Sequence, residues 1–177
     1  MVIDVLPTKI VHYPEPCLRE NCPPFETIDD SVTALAERMI EIMHAGHGVG
    51  LAGPQVAVTR RIFVCSPTGQ PDDNMIFINP ELSDLTGAVE ADEGCLSCPD
   101  ITVAVRRARR CRIQALNLDG EKIEMEAEDL LARIWQHECD HLAGQLIIDR
   151  MNASDRIANK RAIAELEAKY RKTRRSR

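Results

Sequence analysis

Gln136-His137-Glu138-Cys139-Asp140-His141 is the stretch of this chain whose residue types and spacing can do the most chemistry. His137 and His141 stand four positions apart, with Glu138 directly after the first. On an α-helix that spacing is about one turn, so both imidazoles share a face. Two nitrogen donors so placed can hold one metal ion. The glutamate beside them can act as general base toward a water activated there. The plainer alternative is two polar residues on a core helix. Metal-dependent hydrolysis is the sharper expectation, and it needs a third protein ligand that leaves one position open.

Cys95, in Glu93-Gly94-Cys95-Leu96-Ser97, is the best candidate. It sits among small and polar residues in a turn-like setting, and a thiolate binds soft or borderline divalent metals well. Other readings stay open. Cys95 and Cys98 form a C-x-x-C pair, which can be a redox dithiol or half of a zinc site. No second C-x-x-C and no βαβ pattern accompanies it. A generic His-Glu-x-x-His peptidase would take its third ligand downstream, where Glu165 and Glu167 are the acidic candidates. A further motif is Gly48-Val49-Gly50-Leu51-Ala52-Gly53-Pro54-Gln55. Its small residues let backbone approach a ligand closely. It lacks the Lys-Ser/Thr ending of a phosphate loop. It closes on Gln55, whose amide can donate to a developing oxyanion.

The elements that must position these groups can be read from periodicity. Leu130, Ile134, His137, Glu138 and His141 fall on one helical stripe. No Gly or Pro interrupts Glu128 to Leu142, and Gly144 is a plausible stop. Upstream, residues 1–27 are rich in Pro and short of periodicity, and read as an extended arm. Asp29 to Ala45 reads as a helix through Val32, Leu35, Met39, Ile42 and Met43, capped by Asp29 or Asp30 and ended by Gly46. Ile62–Cys65, Met75–Asn79 and Ile101–Val105 have strand character. Cys111–Leu118 and Lys122–Ala127 flank Asp119-Gly120, a strong hairpin signal. Ser154 or Asp155 can cap a last helix through Ile157, Ile163 and Leu166. The fold class is α+β: short antiparallel strands packed around a central metal-binding helix, with a C-terminal helix. No internal repeat or linker divides residues 1–177, which read as one domain.

Composition sets bounds on this picture. Hydrophobic residues make up 44% of the 177 and aromatics only 3%, so the core must be aliphatic. No apolar run reaches membrane-span length. Met1 to Ile10 lacks the pattern of a signal or transit peptide, which points to the cytoplasm. The seven cysteines are an odd number with no export signal, so they read as reduced thiols or metal ligands rather than a disulfide framework. Lys169, Arg171, Lys172, Arg174, Arg175 and Arg177 make the last nine residues strongly basic, whereas the whole chain carries −6. That segment is either a frayed, solvated tail or an arm for nucleic acid or an acidic surface.

Taken together, Gly48–Gln55, Glu93–Ser97 and Gln136–Gly144 resemble the three signature motifs of the peptide deformylases. The likeness extends from Ile10-Val11-His12-Tyr13-Pro14 to Leu146-Ile147-Ile148-Asp149-Arg150. The resemblance implies a cytoplasmic hydrolase that removes the formyl group from the N-terminal methionine of nascent chains. It implies Cys95, His137 and His141 as ligands of one divalent metal, natively Fe²⁺, with Zn²⁺, Ni²⁺ or Co²⁺ able to take its place. It implies Glu138 as general base and acid, and Gln55 with the backbone N–H of Leu96 as oxyanion donors. Leu130 and Ile134 on the metal face, Val49 and Gly50 from the glycine loop, and Arg133 at the rim would form the methionine pocket. Leu130 and Ile134 can equally be plain core. The implied partners are a formylated nascent peptide and, through the basic C-terminal helix or tail, the ribosome; no membrane and no DNA. Family members usually carry Ala where Gly53 stands. Glu93, Arg107 and Asp140 invite roles in orienting the histidines, but the sequence alone does not pair them.

Overall fold

The computed structural model describes residues 6–175. Its elements are, in chain order, α1 (Asp30–Ala45), β1 (Gly50–Ala52), β2 (Ile62–Cys65), β3 (Met75–Thr86), β4 (Val89–Cys95), β5 (Cys98–Arg107), β6 (Arg110–Leu116), β7 (Lys122–Glu128), α2 (Asp129–Leu142), α3 (Ala153–Ala158) and α4 (Lys160–Arg175). All pairing is antiparallel. Five strands form one sheet in the order β1-β2-β3-β6-β7, and β4 and β5 form a separate two-stranded sheet.

The large sheet is buried on both faces where it matters. Strand β2, Ile62-Phe63-Val64-Cys65, has no polar residue because period-two alternation sends Ile62 and Val64 to one side and Phe63 and Cys65 to the other. Ile62 and Val64 pack with Leu35, Met39 and Met43 of α1. Phe63 and Cys65 pack with Trp135 and Leu142 of α2. Phe63 stacks on Phe77, which meets Trp135 edge-on. Few aromatics are present, and these three are spent at the sheet–α2 contact. The small sheet has its own apolar layer: Ile101, Val103 and Val105 against Leu146, Ile147, Met151 and Leu166.

Helix α1 starts where expected, with the Asp29 carboxylate accepting from Ser31 N–H at 3.0 Å. The Asp119-Gly120 hairpin joins β6 to β7, with Gly120 at φ +76°. The described part of the N-terminal arm wraps the core through backbone bonds from Val11 to Gln55, Tyr13 to Ser97 and Cys22 to Leu142. Residues 1–5 of that arm lie outside the described residues.

Two expectations need correction and one needs refinement. The strand beginning at Met75 does not stop at Asn79 but runs to Thr86, because β6 pairs with its second half across two irregularities. Cys95 does sit at a turn, Leu96-Ser97, but as the last residue of a strand, β4, held in register by β5. The last helix is two. Asn152, not Ser154 or Asp155, caps α3 by accepting from Asp155 N–H. Asn159 breaks the helix by turning its side chain onto the backbone N–H and C=O of Thr102 in β5. Lys169 to Arg175 continue α4 as helix rather than fraying; Ser176 and Arg177 lie outside the described residues.

Candidate metal centre

The centre is built where α2 passes over the turn between β4 and β5. Cys95 is the last residue of β4, placed by a register shift at Gly94. His137 and His141 come from successive turns of α2, their ring centroids 5.0 Å apart. His141 Nε2 lies 3.2 Å from Cys95 Sγ. One donor atom from each of the three residues falls within 4.8 Å of the others. Among the described residues no other group of three His, Cys, Asp or Glu comes together this way.

The remaining side chains converge on the same spot. Glu138 is buried beside the histidines, and its Oε2 has no hydrogen-bond partner. Gln55 is equally buried; its Oε1 accepts from Ala52 N–H at 2.8 Å. That bond orients the amide, so Nε2 donates toward Cys95 Sγ at 3.5 Å and Ser97 Oγ at 3.3 Å. Gly50 must lack a side chain, since a Cβ there would collide with Glu138 Oε1. Leu96 turns its side chain over Gly48 and into the α1 layer.

A line of charges backs His137. Its Nδ1 lies 3.1 Å from Glu93 Oε2. Arg107 grips Glu93 with Nε and Nη2 at 2.7 and 2.8 Å and reaches Asp140 with Nη1 at 2.9 Å. Arg150 holds Asp140 from the outside with two bonds, 2.8 and 2.6 Å. These partners are 10 to 44 residues apart in sequence, so only the fold pairs them. The side chain of Arg107 is 2% exposed and that of Glu93 7%.

Burial and partners set the protonation of the cluster. Burial alone would raise Glu93, but His137 and Arg107 outweigh it and bring the carboxyl to about 2. Burial pushes Glu138 up to about 7. The Cys95 thiol is held well below its ordinary value, chiefly by a hydrogen bond from the Cys98 thiol, then by His141 and His137. Burial disfavours His137's charge, yet the Cys95 thiolate and Glu93 raise it to about 10. A thiolate, two imidazoles and a buried unpartnered carboxylate oxygen suit one borderline divalent cation.

A cavity of about 510 Å³ opens onto this cluster. Val49, Gly50, Leu130, Arg133 and Ile134 all line it, beside Cys95, His137 and Glu138. Leu130 and Val49 are exposed at its mouth, whereas Ile134 is buried and belongs to the α2 core as well. Arg133 donates to Asp92 C=O at 3.0 Å, which pins its head at the rim. The alternative ligands are elsewhere. Glu165 pairs with Arg161 on the outside of α4, and Glu167 accepts from Tyr13 Oη.

Residues 7–157 match the family model for polypeptide deformylases. The chain belongs to the peptide deformylase family. It is 41% identical over 160 residues to the peptide deformylase of Acidobacterium capsulatum, an alignment covering 89% of this chain and 94% of that one. The Azotobacter vinelandii enzyme is 43% identical over 154 residues, covering 85% and 92%. Among solved structures, a plant peptide deformylase superposes with TM-score 0.93 at 34% identity over 98% of this chain and 96% of that one. The Thermotoga maritima enzyme gives 0.78 at 39% identity, covering 84% and 99%. The chain is therefore a metal-dependent hydrolase that removes the N-formyl group from nascent polypeptides.

Proposed function

We propose that Cys95, His137 and His141 hold the catalytic metal, and that Glu138, Gln55 and the Leu96 N–H carry out formyl transfer to water beside it. The carrying observation is the convergence of three donor atoms within 4.8 Å, with an oriented amide and an unpartnered buried carboxylate facing the same cavity. A bound divalent cation supplies Lewis acidity and a water of lowered pKa at neutral pH. Glu138 takes a proton from the attacking water and later returns it to the departing amine. Gln55 Nε2 and Leu96 N–H donate to the oxygen of the formyl carbon as it gains negative charge. The carbon–nitrogen bond then breaks, giving formate and a free N-terminus. Glu93 fixes the His137 tautomer by accepting from Nδ1–H, which turns Nε2 toward the donor cluster.

The cavity lined by Val49, Gly50, Leu130, Ile134 and the stem of Arg133 is the site we assign to the methionine side chain. Fe²⁺ is our choice of native metal, with Zn²⁺, Ni²⁺ or Co²⁺ as substitutes; the sulfur-and-imidazole donor set suits all of them. We take residues 1–177 to work as one catalytic domain in the cytoplasm. In support, α4 does not stand apart: Leu166 is buried among the apolar residues of β5. No helix among the described residues is long and apolar enough to cross a membrane. The basic end of α4 is our candidate for transient contact with the ribosome, and steep salt dependence of that contact, lost on deleting 169–177, is expected. DNA is no part of this reading.

The deciding assay is formate release from a formyl-methionyl peptide by protein prepared anaerobically with Fe²⁺. Activity that tracks bound metal and disappears in Glu138→Gln is expected. Unchanged turnover in that variant would overturn the role given to Glu138.

A further inference from the structure

Cys98 is not needed for the chemistry above, yet it lies directly against it. The β4–β5 register pairs Cys98 with Cys95, and only Leu96 and Ser97 separate them in the chain. Paired positions in an antiparallel ladder hold their Cα atoms about 4.5–5.5 Å apart. That is inside the span of about 4.4–6.8 Å that a disulfide bridges. Cys98 is fully buried in the apolar layer of β5, and Cys95 packs against that layer. Both residues line the cavity, and Cys95 is the more exposed of the two, so a small solute meets Cys95 with Cys98 behind it. The C-x-x-C spacing therefore places a second thiol in contact with the cluster's sulfur donor.

We propose that Cys98 is a resolving thiol, which captures peroxide-oxidised Cys95 as a reversible Cys95–Cys98 disulfide. The Cys95 thiolate attacks one peroxide oxygen; a sulfur–oxygen bond forms, the oxygen–oxygen bond breaks, and hydroxide leaves. Cys98 sulfur then attacks Cys95 sulfur. The sulfur–sulfur bond forms as the sulfur–oxygen bond breaks, and the departing hydroxide leaves as water with the Cys98 proton. Two thiols are oxidised by two electrons and the peroxide is reduced to water. The disulfide halts Cys95 before the irreversible sulfinic and sulfonic stages, and a dithiol reverses it by exchange. In a reducing compartment such a bond is transient, as redox-sensing disulfides are. It also takes the thiolate from the donor cluster and leaves two histidines, so oxidation releases the metal. That last consequence rests on Cys95 being a ligand; the disulfide itself does not.

The test uses the full chain loaded with Zn²⁺, which does not itself react with peroxide. After hydrogen peroxide, the protein is alkylated in denaturant and mapped by mass spectrometry, while a chromophoric chelator follows zinc. In the wild type two of the seven thiols are expected to become unreactive as a Cys95–Cys98 crosslinked peptide. Zinc is expected to leave with the same time course, and dithiothreitol to restore both thiols and zinc binding. Cys98→Ala is expected to lose Cys95 to sulfinic and sulfonic acid, with no recovery on reduction. Cys98→Ser, a closer fit in size, is expected to behave like Cys98→Ala, and circular dichroism establishes that each variant is folded. Irreversible oxidation of Cys95 at the same rate in wild type and both variants, or a Cys98 that stays alkylatable, overturns the proposal. A disulfide that forms with zinc still bound would overturn Cys95 as a ligand and uphold the resolving role.

Discussion

Arg107 is the side chain whose loss should be felt furthest, and the size of the effect can be worked from its partners. It is almost wholly buried and neutralises Glu93 and Asp140 at once. Removing one partner of a buried ion pair typically costs about 3–5 kcal/mol, because a charge is left without compensation. Asp140 would not be orphaned in Arg107→Met, since Arg150 still holds it twice. Glu93 would keep only His137 Nδ1 at 3.1 Å and the more distant Arg133 at 3.5 Å. The lower end, about 3 kcal/mol, is therefore expected, a large part of a typical total stability of about 5–15 kcal/mol. Adding Glu93→Gln removes the stranded charge, so the double variant should be more stable than Arg107→Met alone. Urea denaturation of chelator-treated protein, followed by circular dichroism, measures wild type, both single variants and the double variant. Cobalt titration by absorbance should show affinity for the metal weakened about 10–100-fold in Arg107→Met. Strictly additive costs, or an Arg107→Met variant within about 1 kcal/mol of wild type, would refute the reasoning.

Three other outcomes are expected. Gln55→Ala should lower turnover about 10²–10³-fold with bound metal unchanged; metal loss, read by elemental analysis, would count against an oxyanion role. Gly50→Ala should displace the Glu138 carboxylate, since the new Cβ meets it directly. A misplacement of about 1 Å costs about 100-fold, seen in kcat, and unchanged kcat would mean that Glu138 is not where the proton moves. Finally, Glu93 is depressed from its ordinary 4.5 to about 2. Its stabilisation is thus fully present above 4.5 and lost as pH falls toward about 2. The stability difference between wild type and Glu93→Gln should follow that window, and a difference flat through it would remove Glu93 from the charge network.

Local spacing made part of this molecule legible in advance. His137, Glu138 and His141 depend only on one helix having 3.6 residues per turn, and no other contact can change which face they share. The Asp119-Gly120 hairpin is similar, since the turn residues carry their own backbone preference. Strand β4 was not legible. Val89-Glu90-Ala91-Asp92-Glu93-Gly94-Cys95 has little intrinsic strand preference, and pairing with β5 holds it extended. Nor was the break at Asn159, where a tertiary bond to Thr102 outweighs helical continuation. Gln55 was visible as an amide at the end of a glycine-rich motif, but its direction comes from Ala52 N–H. Arg107 was visible as a candidate for orienting the histidines, but its pairing was not, because its partners arrive from β4 and α2.

The donor cluster draws on two separate pieces of the fold, the β4–β5 hairpin and the helix α2. An ion bound to Cys95, His137 and His141 would close the chain between strand and helix like a clasp. Whatever binds the folded form alone shifts the folding equilibrium by mass action, by about 2.7 kcal/mol at a hundred times Kd. The melting temperature of this enzyme should then rise with free metal concentration. In a cell, its lifetime against unfolding and proteolysis would be tied to the supply of that ion, making abundance itself a readout of metal sufficiency.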